Sequence, residues 1–115
     1  MNAIIQRVDL TPKNPIDGTA SATDTNNTSI IAAQGSGKFI YVTDIIISNT
    51  SDTDAEVVIK DGTTARLTYP APKKGGAIHP LRTPLKLSAN AALQFASSAS
   101  VTTMKVSALG YWKTS

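Results

Sequence analysis

The sequence has no cysteine and one histidine in 115 residues, and each shortage removes a class of chemistry. Without cysteine there is no disulfide framework, thiolate zinc site, iron–sulfur cluster or cysteine nucleophile. His79 alone cannot build a multi-histidine metal centre within one chain. Aromatic residues make up 5%, so a core has to be assembled from Ile, Val, Leu and Ala. No apolar run approaches the ~20 residues that a membrane span needs. Residues 1–10 hold short apolar pieces broken by Gln6, Arg7 and Asp9, which is not the pattern of a signal peptide. The glycosylation sequons beginning at Asn26, Asn27 and Asn49 therefore read as incidental.

What is present suits one globular domain. The length predicts a single domain with one modest core, and 41% hydrophobic with 17% charged residues is too apolar for wholesale disorder. Ser, Thr and Ala supply 41 of the 115 residues, a bias that fits a β-protein with small water-facing side chains.

Charge is divided along the chain. All eight acids (Asp9, Asp17, Asp24, Asp44, Asp52, Asp54, Glu56, Asp61) fall in the first 61 residues. Residues 62–115 hold Arg66, Lys73, Lys74, Arg82, Lys86, Lys105 and Lys113 and no acid. Such a split can mark a polyanion-binding face. Single-stranded nucleic acid, however, asks for aromatic platforms among the cations, and few are available. Neutralisation between interleaved halves of a sandwich, or between subunits, is the reading preferred.

Along the chain, residues 11–29 carry two prolines, a glycine and a run of Thr, Asn, Asp and Ser, predicting an irregular segment or an arm laid on a partner. Thereafter strands are predicted. Residues 29–34 form a short apolar run stopped by Gly35-Ser36-Gly37. Residues 38–49 are the clearest strand, with Phe39, Tyr41, Thr43, Ile45 and Ile47 on one face and Ile40, Val42, Asp44, Ile46 and Ser48 on the other. Apolar residues on both faces argue a central position. Residues 55–60 and 63–69 join across Asp61-Gly62 as a hairpin. Residues 70–76, with two prolines and two glycines, are predicted irregular. Residues 77–81 and 84–87 read as short edge strands interrupted by Pro80 and Pro84. Residues 91–96 and 101–112 complete about eight strands, the count of an antiparallel sandwich.

Motifs that suggest chemistry do not survive inspection. Gly35-Ser36-Gly37-Lys38 lacks the remaining glycine, the hydroxyl and the helix of a phosphate loop. Asp52, Asp54 and Glu56 alternate as calcium ligands do, but Val57 and Thr63 stand where an EF-hand needs Gly and Glu. His79 has no serine in a nucleophile context. Tyr111-Trp112 reads as a core cap or an interface pair rather than a sugar platform.

Taken in order, KFIYVTDIIISNTS (38–51), VVIKDGTT (57–64), a Gly-rich turn leading to a Pro-Leu dipeptide, LSANAALQF (87–95) and VTTMKVSALGYW (101–112) resemble small β-sandwich proteins encoded among tailed-bacteriophage virion genes. The resemblance spans roughly residues 36–112. It implies a jelly-roll-like module of capsid decoration or cement type, and some proteins of that kind sit instead at the neck, tail or fibres.

The combined expectation is an all-β, jelly-roll-like antiparallel β-sandwich of about eight strands with an extended N-terminal arm. Residues 1–28 are expected to form an arm, or a short strand plus irregular linker, dispensable for folding, and residues 29–115 the sandwich. The expected role is non-enzymatic, with no cofactor: a virion structural protein, made in the host cytoplasm and located on the capsid surface. It would bind the major capsid protein or another virion protein as a dimer or trimer, without nucleic acid or membrane. The alternative is a receptor- or carbohydrate-binding or connector module of the neck, tail or fibre. Expected contacts are Asn2, Ile4, Ile5, Val8, Leu10, Pro12 and Pro15 of the arm, Lys73 and Lys74 of the Gly-rich loop, and Tyr111 and Trp112.

Overall fold

The computed structural model describes residues 13–114. Eight strands arise where β-branched and apolar residues alternate: β1 (Asn14–Ala22), β2 (Thr28–Ile31), β3 (Phe39–Asn49), β4 (Ala55–Asp61), β5 (Thr64–Ala71), β6 (Gly75–Lys86), β7 (Leu93–Ser97) and β8 (Met104–Lys113). They form two four-stranded antiparallel sheets, ordered β1-β8-β3-β6 and β2-β7-β4-β5. First pairs with last, second with seventh, third with sixth and fourth with fifth. That is one long antiparallel hairpin rolled on itself and closed by β3·β8 and β4·β7. The winding is a jelly roll, as expected.

The same winding accounts for the divided charge. It sets each strand of the acidic half beside a strand of the basic half, and two ion pairs join the halves. Arg66 of β5 reaches buried Asp61 of β4 at 3.2 Å, and Lys74 reaches Asp52 at 3.5 Å.

Between the sheets lies a core built from Ile40, Val42, Ile45 and Ile47 of β3, Val57 and Ile59 of β4, Leu93 and Phe95 of β7, and Met104 and Val106 of β8. Simple alternation does not give the β3 part of that set. Pairing on both sides of β3 shifts between Val42 and Asp44, a β-bulge that inserts one residue and inverts the alternation beyond it. Ile40 and Val42 therefore face inward together with Ile45 and Ile47, not with Ile46 and Ser48. Thr43 occupies the bulge, and its hydroxyl reaches the Leu109 carbonyl at 3.1 Å. Apolar residues on both predicted faces marked this inversion. The strand is central, as expected, between β8 and β6.

Three segments differ from their sequence-based reading. Residues 14–22, read as irregular, are β1, paired along its whole length from Asn14↔Trp112 to Ala22↔Met104. Residues 1–28 therefore include a sheet strand paired with β8. Residues 70 and 71 end β5, and 75 and 76 begin β6, so only the centre of the 70–76 stretch is a turn. The two short strands around Pro80 and Pro84 are one strand, β6, whose pairing with β3 lapses between Pro80 and Leu85. Proline misled all three readings for one reason: Pro15, Pro70, Pro80 and Pro84 lie on β1, β5 and β6, which are edge strands where a missing N–H costs no ladder bond.

Glycine carries two distinct duties. Gly62, at φ +60°, makes the β4–β5 turn, as its Asp-Gly pair predicts. Gly18 lies at an inter-sheet approach: a Cβ there would fall 2.1 Å from the Ile30 carbonyl oxygen of β2. A Gly18→Val variant is expected to lose about 1–3 kcal/mol by forcing these edges apart, read as a lower urea midpoint. An unchanged midpoint would show that the β1–β2 corner yields freely.

Candidate assembly face

The two sheets present unlike outer surfaces. Outward positions of the β2-β7-β4-β5 sheet are mainly polar, among them Ser29, Gln94, Glu56, Lys60 and Thr68. The outward positions of β1-β8-β3-β6 hold all three large exposed hydrophobic side chains of the described residues: Ile46, Ile78 and Leu109, at 36%, 68% and 45% exposure. Register explains their grouping. Ile46 lies directly opposite Ile78, while Asp44 lies opposite both Leu109 and Pro80, so the three side chains occupy two adjacent rows across three strands.

Next to them the rows turn aromatic and cationic. Tyr41 lies opposite Tyr111 and Lys86, and Phe39 opposite Lys113. The Tyr41 and Tyr111 rings stack at 5.0 Å with 12° between planes. Lys13 covers the Tyr111 ring at 5.1 Å, Lys113 the Tyr41 ring at 5.0 Å, and Lys86 the Phe39 ring at 4.5 Å. Ammonium groups over ring faces are attracted by the ring quadrupole, so this end is ordered and positively charged. Successive rows of the face thus run from lysines and aromatics, through a row of Asp17, Leu109 and Asp44, to the row of Ile46 and Ile78.

Each long margin of the sandwich is bridged by a contact between the sheets. Gly18 approaches Ile30 on one side. On the other, His79 of β6 stacks on Tyr69 of β5 at 3.9 Å and 16°. Burial raises the pKa of the Tyr69 hydroxyl. The His79 Nε2 atom is buried without a hydrogen-bond partner, so this ring serves as packing.

At the end opposite the aromatic rows, buried Asn49 joins the two sheets. Its amide donates to the Thr53 and Ala71 carbonyls at 2.8 Å each and accepts from the Ser51 amide and hydroxyl. The neighbouring β5–β6 loop is tied down by its own contacts. The Lys73 amide donates to Asp54, the Lys74 amide to the Ser51 carbonyl, and the Lys74 ammonium to the Thr50 carbonyl. A depression of about 340 Å³ here is lined by Ile47, Ser48, Asn49, Thr50, Lys74, Gly75 and Gly76, and Lys74 is its one titratable group. Among the described residues no three His, Asp or Glu side chains gather as a metal site.

Of the contact residues expected from sequence, Asn2, Ile4, Ile5, Val8, Leu10 and Pro12 lie outside the described residues. Pro15 and Tyr111 are opposite one another on the outer face. Trp112 is paired with inward-facing Ile40, so it caps the end of the interior, with Lys38 over its ring at 4.5 Å. Lys73 and Lys74 stand at the far end of the sheet, about 25 Å from Tyr111 at 3.3 Å per residue. The expected residues therefore do not converge. Sequence reasoning missed Ile46, Ile78 and Leu109, although each is a large apolar residue whose parity, once the bulge is placed, points outward.

No family model matches the sequence. No curated protein matches it either. Among solved structures, a chain of the virus-like particle of extra small virus from the giant freshwater prawn Macrobrachium rosenbergii is similar over 100% of this chain and 86% of its own, with TM-score 0.45 and 12% identity. A chain of Bacillus endospore appendages, which form disulfide-linked pili, is similar over 92% of this chain and 97% of its own, with TM-score 0.40 and 15% identity. At this distance the two likenesses carry no role over to this chain.

Proposed function

We propose that the chain is a non-enzymatic structural protein of a tailed-bacteriophage virion, oligomeric, that decorates or cements the capsid by binding the major capsid protein lattice. The observation that carries this reading is the outer face of the β1-β8-β3-β6 sheet: apolar at its centre, aromatic and cationic at one end, and broad rather than concave. Surfaces of this kind act through area and complementarity, and repetition on a lattice multiplies modest single contacts. Charge concentrated at one end sets orientation during docking. The sequence resemblance supplies the setting, a virion.

A carbohydrate-binding role is less well supported. Tyr41 and Tyr111 turn toward each other and lie under lysines, so the ring faces on which a sugar would stack are occupied. Co-sedimentation of the purified chain with empty phage capsids tests the reading. Saturable binding at a fixed number of copies per capsomer is expected. Failure to sediment, together with hits on a glycan array, would overturn it in favour of a receptor-binding module.

A further inference from the structure

We propose that the outer face of the β1-β8-β3-β6 sheet is the contact between two copies of this chain, related by a two-fold axis running across the strands between the Tyr41 and Asp44 rows. This rests on the functional reading and deepens it: the copies join through this face, and the pair meets the capsid lattice through its remaining surfaces.

Lateral association is the first alternative to dispose of. Sheets commonly join edge to edge, but prolines lie on β1, β5 and β6, interrupting the donor rows that a new strand would use. Gly18 and the Tyr69–His79 stack bridge the two margins, and the remaining edge strand, β2, offers only four residues. Association by a face is what the edges leave.

Charge then selects the orientation. Lys13, Lys86 and Lys113 occupy the two rows at one end, and Asp17 and Asp44 the next row inward. An axis along the strands would lay the lysine rows of one copy on the lysine rows of the other. An axis across the strands inverts the rows. Tyr41 then meets the second copy's Asp44, Tyr111 meets its Leu109 and Phe39 meets its Ile46, while the lysine stems reach over its aspartates. Each contact occurs twice, as an isologous interface requires.

Area is sufficient. The two middle rows overlap on four strands and the two outer rows on two, covering about 400 Å² per copy at the usual strand spacing and rise, about 800 Å² in total. That is the size of a weak, reversible interface. Corrugation by Ile78, Leu109 and the tyrosines adds to it.

Sedimentation velocity of the full chain over a concentration series tests this. A reversible dimer that weakens with added salt is expected. Asp44→Lys should weaken it about 30-fold or more, because the altered charge enters the interface twice, and adding Lys86→Glu should recover most of the loss. Should Asp44→Lys fail to fold, Asp17→Lys on the edge strand carries the same test. A monomer at every concentration, or a dimer indifferent to these substitutions, would overturn the inference. A monomer that still sediments with capsids overturns the dimer and leaves the functional reading standing. A dimer on this face that ignores capsids supports the inference and removes that reading.

Discussion

Replacing Asn49 by alanine is expected to destabilise the fold by about 3–5 kcal/mol, because it strands several buried polar groups at once. Asn49 is 1% exposed, and its side chain makes four hydrogen bonds. Two are donated to carbonyls on different chain segments, Thr53 in the β3–β4 turn and Ala71 at the end of β5, and two are accepted from Ser51. Alanine satisfies none of them, and each orphaned buried group costs about 1–3 kcal/mol. A domain of this size is stable by about 5–15 kcal/mol, so a fifth or more of the total depends on one amide. Asn49→Asp is the sharper control. It keeps the oxygen that accepts from Ser51 but turns a second oxygen toward two carbonyls, so it should be no better than alanine. Urea denaturation measures both: the midpoint falls and the slope holds. A loss below about 1 kcal/mol would mean that water replaces the amide at little cost.

Asn49 also marks how far the sequence could be read. Its place at the end of a strong strand was legible, but its bonding was not, since Ala71 is 22 residues away and comes near only through the rolled topology. Class followed from local chemistry: β-branched runs, the Asp61-Gly62 turn and the absence of any amphipathic helix; the count of eight agreed because the missed β1 offset β6, read as two strands. Strand order did not, because which strands pair depends on how the whole hairpin wraps. Residues 14–22 show the failure most clearly. Proline and glycine there looked like breakers; in the folded chain Pro15 sits on an edge that needs no donor, and Gly18 sits where only hydrogen fits beside the Ile30 carbonyl.

The assembly face was hidden by a single residue. In an unbroken strand, Ile46 falls with Val42 and Ile45 with Tyr41, which buries the wrong isoleucine. Inserting Thr43 as a bulge exchanges them and sends Ile46 outward beside Ile78 and Leu109. Tyr111 was legible as an interface candidate because an aromatic near a strand end is a common anchor. Its neighbour Trp112, by alternation, had to point the other way. Lys73 and Lys74 attracted attention as paired cations, but their backbone amides and the Lys74 ammonium are spent on holding the 50–54 turn.

Because Ile78 and Leu109 are exposed at 68% and 45%, charging them separates assembly from folding. The double variant Ile78→Lys with Leu109→Lys is expected to abolish association through this face, with affinity falling about 100-fold or more, since it removes apolar contact and sets new cations against the lysine rows of the second copy. The fold should hardly respond. Both side chains leave water only when a partner arrives, and the cost of Lys in place of β-formers on a half-wet strand is about 1 kcal/mol or less at each site. Sedimentation with and without capsids, beside a urea titration of the same samples, gives the two readouts. Ile78→Val serves as the conservative control and should leave both unchanged. Were the double variant to fold normally and still associate as the parent does, the outer face of this sheet would not be the surface through which the protein works. The contact would then have to be sought on the polar sheet or at the loop ends, where the described residues offer far less apolar area.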